Sequence, residues 1–185
     1  MKSWKTKPLG ELLKVQNGFA FKSELFNDEG KGLPIIRIRD LERGFSKTFY
    51  NGEHDLAFEV ANGDFLIGMD GEFRCYRWQG GKALLNQRVC RLQNFSRDLN
   101  ASYVFYGINE YLRKIEDNTA FVTVKHLSSK QIAGIEMPIP PLSEQERLVK
   151  LLDEADELRK LQAASRKRLD DLFQSMCHRV FNGEL

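Results

Sequence analysis

The sequence predicts an α+β fold, in which a globular domain with a mixed β-sheet is followed by one long coiled-coil-forming α-helix. In the first part, short strand-like runs and one helical stretch are separated by Gly-containing turns, without the regular strand–helix alternation of a parallel sheet. In the second part there is no Gly or Pro between Pro141 and Gly183, and apolar residues recur at heptad spacing. The predicted domains are therefore residues 1–141 and residues 142–185.

Size and composition bound the class of protein. The chain has 185 residues, of which 42% are hydrophobic and 11% aromatic, as is typical of a soluble globular protein. No apolar run approaches the length of about 20 residues that a membrane-spanning helix needs, and no segment resembles a signal peptide, so we expect no membrane contact. Three cysteines without C-x-x-C spacing indicate free thiols in a reducing, cytoplasmic compartment.

The first elements are predicted from local spacing. Residues 1–17 predict a short amphipathic helix, because three leucines follow Pro8 at helical spacing. Residues 18–23 predict the edge of a strand. From Ile36 to Leu41, apolar and charged residues alternate as in a half-buried strand, which would place Arg37 and Arg39 on one face.

The later elements of the globular part follow the same rules. An Asn-Gly turn at residues 62–63 leads into an apolar run, and polar or β-branched stretches separate the remaining segments. The predictions are a buried strand over residues 65–69, an alternating strand over 86–92, a helix over 99–116, a strand over 119–125, a polar turn that opens a short helix over 126–131, and an edge strand over 135–140.

The long helix is the most strongly patterned element. Ser143 and Glu146 have the spacing of a capping box, and a helix from there to about Phe181 would be about 55 Å long. One uninterrupted heptad register places these residues on a single seam: Leu148, Leu151, Ala155, Leu158, Gln162, Ser165, Leu169, Leu172 and Met176. Such a narrow stripe needs another helix for its burial.

A local charge imbalance indicates an anionic partner. Between Phe73 and Arg97 lie six basic residues and no acidic one, although the net charge of the whole chain is only +2. A solvated strand-and-loop surface would give the same pattern. Arg37 and Arg39 also suit a phosphate or a guanine edge, or else pair with carboxylates of a neighbouring strand.

An enzyme is the weaker interpretation. Asp64, Asp70 and Glu72 lie near a strand end and could hold Mg²⁺ for phosphodiester cleavage. However, Arg74 stands where many nucleases carry a lysine, and arginine does not deprotonate. No methyltransferase tetrad, Walker loop, G-x-S-x-G motif or His/Cys ligand set occurs in the sequence. We therefore expect no catalytic residues, no metal and no cofactor.

Several short motifs, in this order and spacing, resemble the DNA specificity subunit of type I restriction–modification systems. They span nearly the whole chain. The motifs are Leu9–Phe21 followed by Gly32–Ile38, Gly63–Ile67, Thr123–Ser128, Ile139–Gln145 and Phe181–Leu185. In that family Gly63-Asp64 followed by apolar residues is a structural pattern, which weakens the nuclease interpretation further.

The resemblance implies a non-catalytic chain with two parts. Residues 1–141 would be a target recognition domain that reads one half of a bipartite site in double-stranded DNA, and residues 142–185 a dimerisation and spacer helix. The subunit would carry modification (methyltransferase) subunits and, through them, the restriction subunit. Family members usually have two recognition domains and two long helices, whereas this chain has one of each, and its family-like ending at Phe181–Leu185 favours a natural C-terminus. We therefore expect a half-size subunit that forms a homodimer through antiparallel helices.

The expected DNA contacts are basic side chains on loops and strand ends: Lys22, Arg37, Arg39, Arg74, Arg77, Lys82, Arg88, Lys125, His126 and Lys130. At the middle of the helix seam, Gln162 and Ser165 either fix the register of the antiparallel pair or are a local weakness in packing. Two other interpretations stay open at this stage: a coiled-coil adaptor whose globular part binds protein, and the Mg²⁺-dependent nuclease.

Overall fold

The computed structural model describes residues 4–118 and 125–184. The chain divides into two compact units, residues 1–145 and residues 146–185. The helices are α1 (Ile38–Leu41), α2 (Ala101–Asn118), α3 (Ser129–Ala133) and α4 (Leu142–Phe181). The strands are β1 (Thr6–Pro8), β2 (Lys14–Asn17), β3 (Phe26–Asn27), β4 (Leu33–Ile36), β5 (Phe49–Tyr50), β6 (Glu59–Val60), β7 (Phe65–Gly68), β8 (Cys75–Arg77), β9 (Ala83–Leu85), β10 (Val89–Gln93) and β11 (Glu136–Pro138).

The strands form three sheets in the first unit. An antiparallel sheet has the order β2-β10-β7-β8, and β1 pairs with β11 in a separate antiparallel ribbon. The third sheet has the order β3-β5-β4-β9-β6 and is mixed, because β4 and β9 run parallel with Ile35 opposite Leu84. Helices and mixed sheets without regular alternation confirm the predicted α+β class.

Helix α2 supplies one side of the largest core. Val104, Ile108 and Leu112 recur every four residues and are fully buried. They belong to the same cluster as Phe65 and Cys90 on the four-stranded sheet. The helix predicted over residues 99–116 is therefore confirmed, because its apolar stripe matches one buried face.

The prediction of an N-terminal helix over residues 1–17 is wrong. The segment is strand β1, a single 3₁₀ turn over Leu9–Glu11 and strand β2. The leucines at helical spacing are buried as a helix would bury them. However, the backbone on either side pairs as strands, β1 with β11 and β2 with β10. Gly10 lies so close to Ala133 that an added Cβ would be 3.1 Å from the Ala133 Cβ. Tertiary pairing therefore overrides the local spacing.

The strand predicted over Ile36–Leu41 is also wrong. Strand β4 ends at Ile36, and the Arg37 backbone N–H donates to Asp40 Oδ2 at 3.0 Å, which starts the short helix α1. Ile36 and Leu41 are buried in a second core together with Trp78. Arg37 and Arg39 therefore do not share one face of a strand; Arg37 precedes the helix and Arg39 lies within it.

The other predicted elements have mixed outcomes. The buried strand over residues 65–69, the short helix after His126 and the final edge strand are confirmed by β7, α3 and β11. The alternating segment 86–92 is extended only from Val89, because a bridge and a turn occupy residues 86–88. Residues 18–23 contain an isolated bridge between Phe19 and Asn86 and the first residue of a 3₁₀ turn, Ser23–Leu25. The predicted strand 119–125 lies, apart from its last residue, outside the described residues.

Helix α4 begins one residue earlier than the capping box predicts, so Ser143 lies inside the helix. The start is held instead by Gln145, which is completely buried. Its Nε2 donates to the carbonyl oxygens of Asp98 (2.9 Å) and Pro140 (2.8 Å), and its Oε1 accepts from the Asn100 backbone N–H at 2.8 Å. Both polar atoms of the Gln145 side chain are thus paired with backbone groups, through three hydrogen bonds.

The rest of α4 forms the second unit. Asp156 accepts ion pairs from Arg159 (2.7 Å) and Lys160 (3.0 Å), one turn away, which supports the middle of the helix. The helix ends where Gly183 adopts a φ of +71° and the Glu184 N–H reaches back to the Arg179 carbonyl at 2.9 Å. Among the described parts of the chain, no helix is long and apolar enough to cross a membrane.

The Gln145 contacts predict a specific stability effect. Gln145→Ala should lower the free energy of unfolding by about 3 kcal/mol, because two carbonyl oxygens and one N–H would lose their buried partner. Alanine is the better helix former, so a helix-propensity effect would have the opposite sign. Urea denaturation measures the difference, with the exposed neighbour Glu146→Ala as the matched control. A loss of less than about 1 kcal/mol would contradict the role of this network.

Candidate nucleic-acid interface

The turn that contains α1 forms a basic cleft, called here the α1 cleft. Its cavity of about 360 Å³ is lined by Asp28, Arg37, Arg39, Asp40, Arg43, Phe45, Lys47 and Thr48. Arg37 is fixed in this cleft, because one Nη donates to Thr48 Oγ1 and the Nε lies 4.0 Å from Asp40 Oδ2. The cleft thus brings the predicted pair Arg37 and Arg39 together, although by a helix rather than by a strand.

A second charged cluster, called here the Asp70 cluster, lies where β7 and β10 meet residues 126–129. Asp70 Oδ2 is 3.2 Å from an Nη of Arg88, and Asp70 Oδ1 is 2.7 Å from Nδ1 of His126. A carboxylate only accepts, so the Nδ1 of His126 carries the proton in this contact. Backbone hydrogen bonds from Met69 to Arg88 and from Leu127 to Met69 hold the three segments together.

The remaining predicted DNA contacts lie apart from these two clusters. Exposed Arg74 and Lys82 pair with Glu72 (3.3 Å) and Glu59 (2.8 Å). Hydrogen bonds from Lys82 and His54 lower the pKa of Glu59. Lys22 and Lys130 are exposed, and among the described residues neither has an ion pair.

Arg77 has a structural explanation for its position. Its guanidinium carbon lies 5.4 Å from the ring centroid of Phe65 and 5.0 Å from that of Phe105, and one Nη donates to Ser102 Oγ at 3.1 Å. These contacts bind strand β8 to helix α2 through cation–π interactions and a hydrogen bond. The basic stretch between Phe73 and Arg97 is therefore not one continuous surface, because part of it is used within the fold.

Arg91, in the same stretch, is even more enclosed, with 13% of its side chain exposed. It donates to the carbonyl oxygens of Glu59 and Ala57, to Gln16 and to Asp64. A sequence reading of the charge run alone does not distinguish such an internal arginine from a surface one.

The three carboxylates of the nuclease interpretation do not converge. Asp64 accepts from the Ala61 N–H (2.9 Å) and from Arg91 (3.3 Å), Asp70 pairs with Arg88 and His126, and Glu72 pairs with Arg74. Within residues 4–118 and 125–184, no three His, Cys, Asp or Glu side chains are grouped as a metal site would require. Asp64 instead closes the turn before β7, as the family pattern implies.

Sequence reasoning missed three residues of the α1 cleft. Arg43 and Lys47 are exposed cations on the segment after α1, and Phe45 between them has 49% of its surface exposed. An extended strand through Leu41 would carry the following segment away from Arg37 and Arg39, whereas helix α1 turns it back towards them. The available signal was the composition itself: two cations and an aromatic residue within five positions of a Gly-containing turn.

Glu116 connects the end of α2 to the start of the described segment after residue 124. Its carboxylate accepts from the Phe73 backbone N–H at 3.1 Å and from the Lys125 ammonium at 3.2 Å. Burial raises the pKa of Glu116, but these two contacts outweigh it and place the pKa below its ordinary value of 4.5. Lys125 is thus the partner of a structural carboxylate in the described fold.

The family of the chain follows from comparison with known proteins. A family model for the type I restriction modification DNA specificity domain matches residues 1–178. The chain belongs to this family. The resemblance inferred from the short motifs is thereby confirmed. The relatives that the chain matches are named as specificity subunits, so the expectation of a non-catalytic chain is also confirmed at the level of the family.

Individual relatives cover most of this chain. It is 40% identical, over 151 residues, to the type I restriction enzyme EcoBI specificity subunit of Escherichia coli, covering 82% of this chain and 32% of that subunit. It is 23% identical, over 156 residues, to the type I restriction enzyme MjaVIII specificity subunit of Methanocaldococcus jannaschii, covering 84% and 36%. The chain thus spans less than half the length of these curated relatives.

Solved structures share the fold. A chain from a study of complex assembly and conformational transition of the type I R-M system matches all of this chain and 47% of its own length, with a TM-score of 0.71 and 23% identity. The HsdS subunit from Thermoanaerobacter tengcongensis matches 99% of this chain and 46% of its own, with a TM-score of 0.65 and 22% identity.

The Glu116 contacts predict a pH-dependent stability. Because the folded-state pKa is lowered, the stabilisation is present above about pH 4.5 and is lost as the pH falls through the folded-state pKa. Glu116→Gln should therefore destabilise the protein at pH 7, and the gap to wild type should narrow as the pH falls below about 4.5. Urea denaturation at several pH values measures this, with exposed Glu110→Gln as the control. A gap that is constant with pH would contradict the assignment.

Proposed function

We propose that this chain binds double-stranded DNA sequence-specifically, as the recognition component of a type I restriction–modification complex. The match of the family model over residues 1–178 carries this proposal. Residues 1–141 would act as the target recognition domain for one half of a bipartite site. The α1 cleft and the Asp70 cluster support the proposal, because both present cations on the surface of this unit.

In the proposed mechanism, different cations have different tasks. Contacts to phosphates fix the position of the protein on the duplex, whereas contacts to base edges specify the sequence. Lys22, Arg39 and Lys130 are exposed and have no ion pair among the described residues, so they need not give up a protein partner. Arg74, Lys82 and Arg88 have side chains more than half exposed. Such surface pairs are weak, so a phosphate or base can replace their carboxylate at little cost.

The proposed partners are the other subunits of the complex. The chain would carry modification (methyltransferase) subunits and, through them, the restriction subunit, and it would act in the cytoplasm, where its DNA substrate lies. The names of the matched relatives, which are specificity subunits of restriction enzymes, support this assignment. Because the chain itself would only recognise DNA, cleavage and methylation would need these partners.

Residues 142–185 would form the dimerisation and spacer helix. Among the described residues of α4, the apolar side chains on the heptad seam are largely exposed, with Leu158 at 67% and Leu169 at 65%. We propose that two copies pair in antiparallel coiled-coil fashion. The midpoint of the helix lies at Leu161 and Gln162, so polar Gln162 and Ser165 would lie beside the two-fold axis and could fix the register.

DNA recognition by a symmetric dimer predicts the form of the target. Selection from a random pool of duplexes, with the methyltransferase subunit of the same system present, should enrich an inverted repeat whose halves are separated by a spacer of fixed length. The two-fold axis relates the two recognition domains, and the rigid helices hold them at one separation. Enrichment of no sequence, together with no salt-dependent affinity, would favour a protein-binding adaptor instead.

The helix seam predicts a second outcome. Leu158→Glu should raise the dimer dissociation constant by at least about a hundredfold, because two leucines worth about 1.5–3 kcal/mol each would lose their burial. The side chain is exposed in the single chain, so the fold should be unchanged. Sedimentation equilibrium measures the constant, and Ala164→Glu, off the seam, is the matched control. A wild-type chain that is monomeric at micromolar concentration would contradict the homodimer.

A further inference from the structure

The α1 cleft has an unusual charge balance for its size. Four cations and two carboxylates line its cavity of about 360 Å³, so its formal charge is positive. All four cations come from one short stretch, residues 37–47. This stretch folds back on β4, where the Ile35 N–H donates to the Thr48 carbonyl oxygen at 2.9 Å. Three of these side chains, those of Arg39, Arg43 and Lys47, are exposed at the rim.

The two carboxylates are already used inside the protein. Asp40 is 4% exposed and accepts from the Arg37 backbone N–H, which fixes the start of α1. Asp28 accepts from Thr48 Oγ1 at 3.3 Å. The two acids keep their negative charge, so the cleft with four cations and two carboxylates has a formal charge of +2.

The cations have donors to spare. Arg39, Arg43 and Lys47 form no ion pair within the described ranges, 4–118 and 125–184. Arg37 differs from these three, because its Nε is buried and lies 4.0 Å from Asp40 Oδ2. An exposed guanidinium or ammonium that meets an anionic oxygen forms a charge-assisted hydrogen bond, so the three rim cations are the available donors of the cleft.

We propose that the α1 cleft binds one backbone phosphate of the DNA duplex, with Arg37 at its base and Arg39, Arg43 and Lys47 at its rim. This inference rests on the proposed DNA-binding function. A concave site suits a phosphate, because phosphates protrude from the duplex. It does not suit a base edge, because a side chain must extend into a groove to reach one. Thr48 holds Arg37 back in the cleft, so Arg37 is placed to receive a phosphate rather than to enter the major groove. The cleft therefore fixes the position of the domain on DNA without reading sequence.

The test substitutes the three rim cations and leaves Arg37, Asp28 and Asp40 unchanged. In the full-length chain, the triple variant Arg39→Gln, Arg43→Gln, Lys47→Gln should bind random-sequence duplexes roughly tenfold more weakly. The slope of log affinity against log salt should become shallower by about 1, the value for one lost phosphate contact. The sequence selected from a random pool should not change. Fluorescence anisotropy over a salt series measures the first two quantities.

A matched variant separates a site from bulk charge. Lys5→Gln, Lys7→Gln, Lys14→Gln removes the same three charges at exposed positions outside the cleft and should leave the slope unchanged. Equal losses in the two triple variants would overturn the phosphate site in favour of general electrostatic attraction. Thermal melting of each variant confirms that the fold is intact.

Other results would distinguish a phosphate-binding cleft from a base-reading site and from a site for free phosphate. An altered selected sequence in the rim variant would overturn the proposal by making the cleft a base-reading site. Variant-sensitive binding of inorganic phosphate, with duplex binding unaffected, would assign the cleft to a free phosphate ligand instead. If wild type binds duplexes and the rim variant matches it in affinity and slope, only the cleft proposal fails. If wild type binds no duplex even with the methyltransferase subunit present, the proposed function fails as well.

Discussion

The arrangement of the first unit depends on the hydrogen-bonded position of β10 between β2 and β7. This central strand sets Cys90 opposite both Asn17 and Ile67, so strand ends that are far apart in sequence meet at the same end of the sheet. The Asp70 cluster lies at that end of the sheet, because β7 ends before Asp70 and β10 begins after Arg88. Beside it, the Asn17 amide donates to Ser129 at 3.3 Å, at the start of α3. One strand pairing thus assembles charged residues that no local motif connects.

Charge in this unit serves two different purposes. Arg77 and Arg91 are enclosed by aromatic rings, carbonyl oxygens and an acid, and they join strands and helices inside the fold. The cations of the α1 cleft, in contrast, project from one turn around acids that are already engaged. Both Nη groups of Arg91 donate to protein groups, whereas an exposed guanidinium can exchange its partner at little cost. This difference separates structural arginines from those available to an anionic ligand.

The two ends of α4 are determined by different kinds of residue. Buried Gln145 fixes the beginning through three hydrogen bonds to residues 98–100 and to Pro140. Gly183 fixes the end through a left-handed backbone that an L side chain rarely adopts. Between them, ion pairs within the helix and good helix formers sustain an element whose apolar seam stays exposed in the single chain. The helix therefore holds its conformation while its apolar seam stays exposed, and the proposed coiled-coil pairing would bury that seam.

The sequence by itself determined the two long helices, α4 with its seam and α2, and the family motifs. It also determined β7, α3 and β11, which are short but bounded by clear turn signals. Over a long helix the spacing of apolar residues repeats many times, so the helical period is unambiguous. Tertiary structure alone decided the short elements near the N-terminus and around α1. Leu9, Leu12 and Leu13 have helical spacing but occupy a strand–turn–strand, and the alternation at Arg37 breaks because Asp40 caps a helix. It also decided which cations are surface and which are internal, since burial depends on partners distant in sequence: Arg91 meets Gln16 and Asp64, and Arg77 meets Phe105.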